Sequence, residues 1–171
     1  MKAKQKLIVF GAGGHAKVVI DIIEQQGSYE IVGVLDDDVS RKGSRFFGYT
    51  LLGTRADLPA LRSAQMHLAI VAIGDNARRA AVAALLTQQS WQFAAAVHPR
   101  ACIGRGVDIG PGCVIMAGCV VNADTVLGAH VIVNTGATID HDCRIEGGVH
   151  IAPGCHLCGG CLLYTSPSPR D

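Results

Sequence analysis

An α/β domain built on a parallel sheet, followed by an all-β parallel coil, is the architecture that this 171-residue sequence predicts. Three observations predict it. Apolar runs of strand length alternate with helical segments up to about residue 95. From about residue 98 a period of six replaces that alternation. Glycine closes several of the apolar runs in the first half and recurs between the periodic positions in the second.

Residues 6–10 (KLIVF) form a short apolar run ending at glycine, as a buried parallel strand does. Gly11-Ala12-Gly13-Gly14 is a turn. Over 15–26, Val18, Val19, Ile22 and Ile23 recur at helical spacing, and Gly27 supplies a stop. Residues 31–35 make a second strand that runs into Asp36-Asp37-Asp38. Residues 68–73 make a later strand ending at Gly74, 77–89 an alanine- and leucine-rich helix, and 91–97 a further strand. Such alternation puts helices on the faces of a parallel sheet, a Rossmann-like domain over residues 1–97.

In the second half an aliphatic residue returns every sixth position, from Ile103 and Ile109 through Ile139 and Ile145 to Leu157, with no break in phase. Four residues after each comes a small or branched one, among them Cys113, Cys119, Thr125, Ala137 and Cys143. Each hexad then supplies one short strand and one turn, and three hexads close a triangle. The aliphatic residue points inward and stacks on the one eighteen residues away, so successive coils bury a continuous core. An amphipathic helix cannot produce this period. The coil is expected over 98–162.

Composition narrows the function classes. A formal charge of +1 carries no field for nucleic acid or an anionic membrane, and 5% aromatic content leaves little for base stacking. The first apolar run is too short for a signal-peptide core and none is long enough to span a bilayer, so the expected compartment is the cytoplasm, without membrane insertion. Seven cysteines, an odd number, do not read as a disulfide framework.

Two constellations can carry chemistry. The glycine turn at 11–14 follows a strand and opens a helix, where bare backbone can approach a phosphate. Asp36 ends the next strand, where dinucleotide-binding proteins place a ribose-binding acid, so a nicotinamide oxidoreductase is one reading. His15 suits a donor to a nucleotide or sugar instead. The other constellation is Asp140-His141-Asp142, a turn histidine between carboxylates on a rigid coil and a candidate general base. Asn134 and His150 lie in nearby hexads, His150 on a different face from which it could reach a partner's His141. Cys155, Cys158 and Cys161 beside His156 suggest zinc, but two of these cysteines occupy inward slots and no second ligand pair exists; no metal is expected.

Taken together, residues 6–19 (KLIVFGAGGHAKVV), the strand end at 35–38, 72–79 (AIGDNARR), the Val97-His98-Pro99 link and 131–143 (VIVNTGATIDHDC) resemble the PglD/NeuD family of sugar acyltransferases across about residues 6–160. The resemblance implies a left-handed β-helix, a homotrimer with active sites between neighbouring coils, and an N-terminal domain that holds a UDP-sugar rather than NAD. It implies acetyl-CoA as co-substrate and N-acetylation of a UDP-4-amino-sugar, with O-acetylation of sialic acid or a related sugar as the alternative. A non-catalytic trimeric scaffold is the reading outside enzymology. Carried over, Gly13 and His15 would contact the nucleotide sugar, with Asp36 and Asp37 near its uracil or ribose and Gly74 and Asn76 close by. His141 would be the base and Asp142 its orienting partner. Asn134 and His150 would line the same cleft, and Gly159 would lie against acetyl-CoA. After Cys161 the chain departs from the pattern: Leu163 fits the next slot and Pro169 does not, so 163–171 is expected to be a non-native or disordered tail on an incomplete coil.

Overall fold

The computed structural model describes residues 4–165, which form two compact units meeting at Ala96 and Val97. The first unit contains, in order, β1 (Gln5–Phe10), α1 (Gly14–Gln26), β2 (Tyr29–Leu35), β3 (Arg45–Phe46), β4 (Tyr49–Gly53), α2 (Leu58–Ser63), β5 (Leu68–Val71), α3 (Asn76–Gln88) and β6 (Gln92–Phe93). Its sheet has the order β3-β4-β2-β1-β5-β6, parallel throughout except for the β3–β4 hairpin. The order reverses at β1, which pairs with β2 on one side and β5 on the other. In open α/β sheets ligands bind outside the carboxyl ends of strands at such a point.

Alternation along β1 divides the core. Ile8 and Phe10 join Leu58, Val71, Val82, Leu86 and Trp91 on one face. Leu7 and Val9 point the opposite way, and α1 buries Val19, Ile20 and Ile23. Helix α1 stops as expected: Gly27 is left-handed at φ 70° and its N–H reaches the Ile23 carbonyl at 3.0 Å. The expected strand at 91–97 divides into Gln92–Phe93, which pairs with β5, and Ala96–Val97, which leaves that sheet for a separate four-stranded one.

The second unit is a left-handed β-helix of two-residue strands, from Cys102–Ile103 to Leu162–Leu163. Pairing is parallel with an offset of eighteen, as in Val121 on Ile103 and Ile139 on Val121. The inward residues from Ile115 to Ile151 are buried, and Ile103 at the start is 37% exposed. A second periodicity lies in the backbone. The residue at every sixth position from 106 to 160 is left-handed; it is glycine except at Asp124, His130 and Asp142. Leu163 continues the register by pairing with Ile145. Of the tail expected at 163–171, residues 166–171 lie outside the described residues. Among the described residues no helix is long and apolar enough to cross a membrane.

Candidate functional site

The strand ends at the sheet reversal enclose a cleft of about 310 Å³. The turn between β1 and α1 forms its floor. Gly11 has φ +116°, and a Cβ there would stand 2.8 Å from the Ala72 carbonyl oxygen, so the chain can pass the end of β5 only as glycine. At Gly13 and Gly14 a Cβ would meet nothing within 4 Å. Their bareness leaves the N-terminal amides of α1 open to the cleft, a suitable seat for an anion.

Asp36 fastens this turn to β2. Its Oδ2 accepts from Ala12 N at 2.8 Å and its Oδ1 from Asp38 N at 3.1 Å. Arg41 approaches Asp36 at 3.8 Å, donates to the Ala12 carbonyl at 3.2 Å and lies over the Phe46 ring. Asp37 is gripped by Arg55, whose Nε donates to Oδ1 at 2.9 Å, and that hydrogen bond holds the Asp37 carboxyl below its ordinary range. Of the residues expected here, Gly13, His15, Asp36, Asp37 and Gly74 line the cleft. Asn76 is not in the lining; its Oδ1 accepts from the buried Arg79 at 2.8 Å. Arg79 also donates to the carbonyls of Ile73 and Gly74, which anchors the opposite wall. Sequence reasoning missed Arg41, Asp75 and Arg78, which complete the lining. Two arginines beside open helix amides are chemically suited to a diphosphate.

In the coil, His141 stands on the corner after Thr138–Ile139. Its Nδ1 is 2.7 Å from Asp142 Oδ2. A carboxylate only accepts, so the bond fixes the proton on Nδ1 and leaves the lone pair on Nε2. Asp142 occupies one of the left-handed corner positions, at φ 58°. Asp140 Oδ1 accepts from His141 N at 2.9 Å and from Asn122 Nδ2 at 3.0 Å. The hydrogen bond to Asp142, followed by the charge of Asp140, raises the His141 pKa above 6.5. The Asp140 carboxyl is lowered, chiefly by the backbone N–H of His141. The side chains of His141 and Asp142 are 61% and 66% exposed, so the pair stands on the outer surface of the coil.

Gly159 lies one coil on. A Cβ there would come within 2.9 Å of His141 Cε1 and Nε2, so the bare residue gives the imidazole its seat. Asn134 and His150 form a separate pair at the preceding corner. Asn134 Oδ1 takes the N–H of Thr135 at 2.8 Å, so its Nδ2 is the donor to His150 Nε2 at 2.9 Å. The chain thus joins His141 with Asp142 and Gly159, and Asn134 with His150. Among the described residues no group of three or more His, Cys, Asp or Glu is arranged to hold a metal ion.

Residues 6–86 match the family model for the PglD N-terminal domain. A comparison with curated protein sequences returns no match. Among solved structures, a histidine-to-alanine variant of GDP-perosamine N-acetyltransferase from Caulobacter crescentus, in complex with CoA and GDP-perosamine, is 34% identical, with 94% of this chain and 74% of that chain covered and a TM-score of 0.87. The acetyltransferase domain of PglB from Neisseria gonorrhoeae FA1090, in complex with acetyl coenzyme A, is 38% identical over 92% of this chain and 75% of that chain, with a TM-score of 0.81. WeeI from Acinetobacter baumannii AYE, at 24% identity with 90% of this chain and 73% of that chain covered and a TM-score of 0.76, shares the fold.

Proposed function

The chain belongs to the PglD/NeuD-type sugar acetyltransferases, and we propose that it transfers the acetyl group of acetyl-CoA to the amine of a nucleotide-linked amino-sugar, with His141 as general base. The observation that carries this reading is the exposed His141–Asp142 pair, with Nδ1 committed to the carboxylate and the lone pair left on Nε2. The neighbours support an amine acceptor, since one is named for N-acetylation of GDP-perosamine. The glycine-floored cleft would hold the nucleotide diphosphate, with Gly13, His15 and Gly74 around it and Asp36 and Asp37 toward the ribose and base. Asn134, His150 and Gly159 would border acetyl-CoA. The active unit proposed is a homotrimer.

The sugar amine attacks the thioester carbonyl directly. As the new N–C bond forms, Nε2 of His141 takes the amine proton, and Asp142 stabilises the resulting imidazolium. The C–S bond then breaks, and the proton passes to the departing CoA sulfur. Holding two substrates in line supplies much of the acceleration.

Thiol release from acetyl-CoA, measured with UDP- and GDP-linked 4-amino-sugars, tests the reading. Turnover with the UDP sugar supports the uridine expectation, and turnover with the GDP sugar alone replaces it. No thiol release with either sugar overturns the amine-acceptor reading.

Two variants probe the two halves of the proposal. Asp36→Ala removes the acceptor that fastens Ala12 N, and isothermal titration should show nucleotide-sugar affinity falling about 10- to 100-fold, as for loss of a charge-assisted hydrogen bond. Affinity unchanged by this variant would remove Asp36 from the site. Asp142→Asn acts on pH dependence. A base must be neutral to act, and the His141 pKa is raised by its hydrogen bond to Asp142, so wild-type activity should climb through a midpoint above 6.5. The variant should shift that acid limb to lower pH and reduce the plateau by about tenfold or more. A limb that stays in place would detach His141 from the titration.

A further inference from the structure

Among the inner slots of the coil, Thr125 alone carries a hydroxyl, and it is fully buried. Three of the cysteine slots share a pattern. Cys113 Sγ donates to the Gly128 carbonyl at 3.0 Å, Cys119 to Asn134 at 3.1 Å and Cys143 to Cys158 at 3.2 Å, each fifteen residues on. Thr125 follows the rule with the shortest of these bonds, Oγ1 to the Asp140 carbonyl at 2.8 Å. The same oxygen accepts from Cys143 N at 3.2 Å. One buried hydroxyl therefore holds both ends of the turn 140–143, the turn that exposes His141 and Asp142.

We propose that Thr125 is a positioning residue for His141, clamping from within the coil the two ends of the turn on which the histidine stands. The inference rests on His141 being the base. Outside, the turn is tethered through the Asp140 carboxylate to Asn122 and through Asp142 N to the Ala123 carbonyl at 3.1 Å. Inside, Thr125 is the hydroxyl that spans it. A hydroxyl can donate and accept at once, whereas a thiol does both weakly, so threonine rather than cysteine suits the slot beneath the reactive corner. Valine there would keep the volume and leave the Cys143 N–H without its acceptor in the core. The turn would be drawn toward water, and the imidazole with it.

The experiment compares Thr125→Val, Thr125→Ser and Thr125→Cys in the full chain, reading steady-state kinetics and the pH titration of the His141 Cε1–H resonance by NMR. Thr125→Val should lower kcat about 10- to 100-fold, as for a displaced catalytic group. KM for both substrates should hold within about twofold, since binding is not the function lost. Its His141 should titrate at lower pH than in the wild type as the Asp142 contact loosens. Thr125→Ser should restore both readouts and Thr125→Cys should fall between; that ranking decides the matter even if the valine variant does not fold. Cys113→Val, which removes a buried donor beneath the Gly128 corner, should leave kcat unchanged. Thr125→Val with wild-type kcat and titration, or Thr125→Ser as impaired as valine, overturns the proposal. Activity retained by His141→Ala overturns the base reading instead, and the titration still reports whether Thr125 sets the histidine.

Discussion

Replacing His141 with alanine should lower kcat by about 10²- to 10⁴-fold, the usual contribution of a general base. The loss should appear in kcat and not in affinity for the nucleotide sugar, because the cleft proposed to hold that sugar is lined by residues of the N-terminal unit, whereas His141 belongs to the coil. Stability should change little, since the side chain is exposed and its bond to Asp142 is made at the surface. Thiol release at saturating substrates, beside calorimetric binding of the nucleotide sugar, separates the two effects. Full activity in this variant would leave positioning as the coil's sole contribution, and the Asp142 contact would then need another purpose.

The second large effect concerns stability. Gly128→Ala should destabilise the protein by about 3 kcal/mol, at the upper end of the cost of overpacking. A Cβ at this position would lie 2.5 Å from Gly147 N and 2.9 Å from Glu146 C, which are backbone atoms of the next coil. No rotamer relieves that collision; a whole coil must lift. Gly136→Ala provides the contrast. It is left-handed at φ +69° with open space around it, so alanine there bears only the conformational cost, about 1–2 kcal/mol. Calorimetry on the two variants should therefore rank Gly128→Ala as the more damaging. The reverse order would mean that stacked coils yield more easily than their spacing implies.

The coil was legible because one inward residue per hexad must match the residue eighteen positions away, which prints a period that no helix can imitate. β1, α1 and α3 were legible for the related reason that burial and helical spacing coincide. The segment 36–67 was opaque. Its hairpin turns at Phe47, left-handed at φ 44°, and Gly48, without the Asn-Gly or Asp-Gly pair that marks such turns, and its strands are short. The cleft was half legible. Gly13, His15 and Asp36 sit in the turn and strand end that name it, whereas Arg41 and Arg78 arrive from elements whose proximity only folding creates. Asn76, which the family resemblance puts near the nucleotide sugar, has its side-chain carbonyl taken by the buried guanidinium of Arg79, a contact that no sequence spacing announces. Thr125 read as one more small inner residue. Its hydroxyl, alone among those slots, was the available signal.

The offset of eighteen between stacked residues such as Val121 and Ile103 limits how a protein of this kind can change in length. Six residues inserted between Thr125 and His141 would rotate the histidine about a third of a revolution around the coil axis. It would leave both Asn122 and the carbonyl contact beneath it. Eighteen inserted residues would return every side chain to its own face, one storey higher. Indels in the coil are thus quantised, and between those quanta only substitution remains as a route by which a face acquires new chemistry.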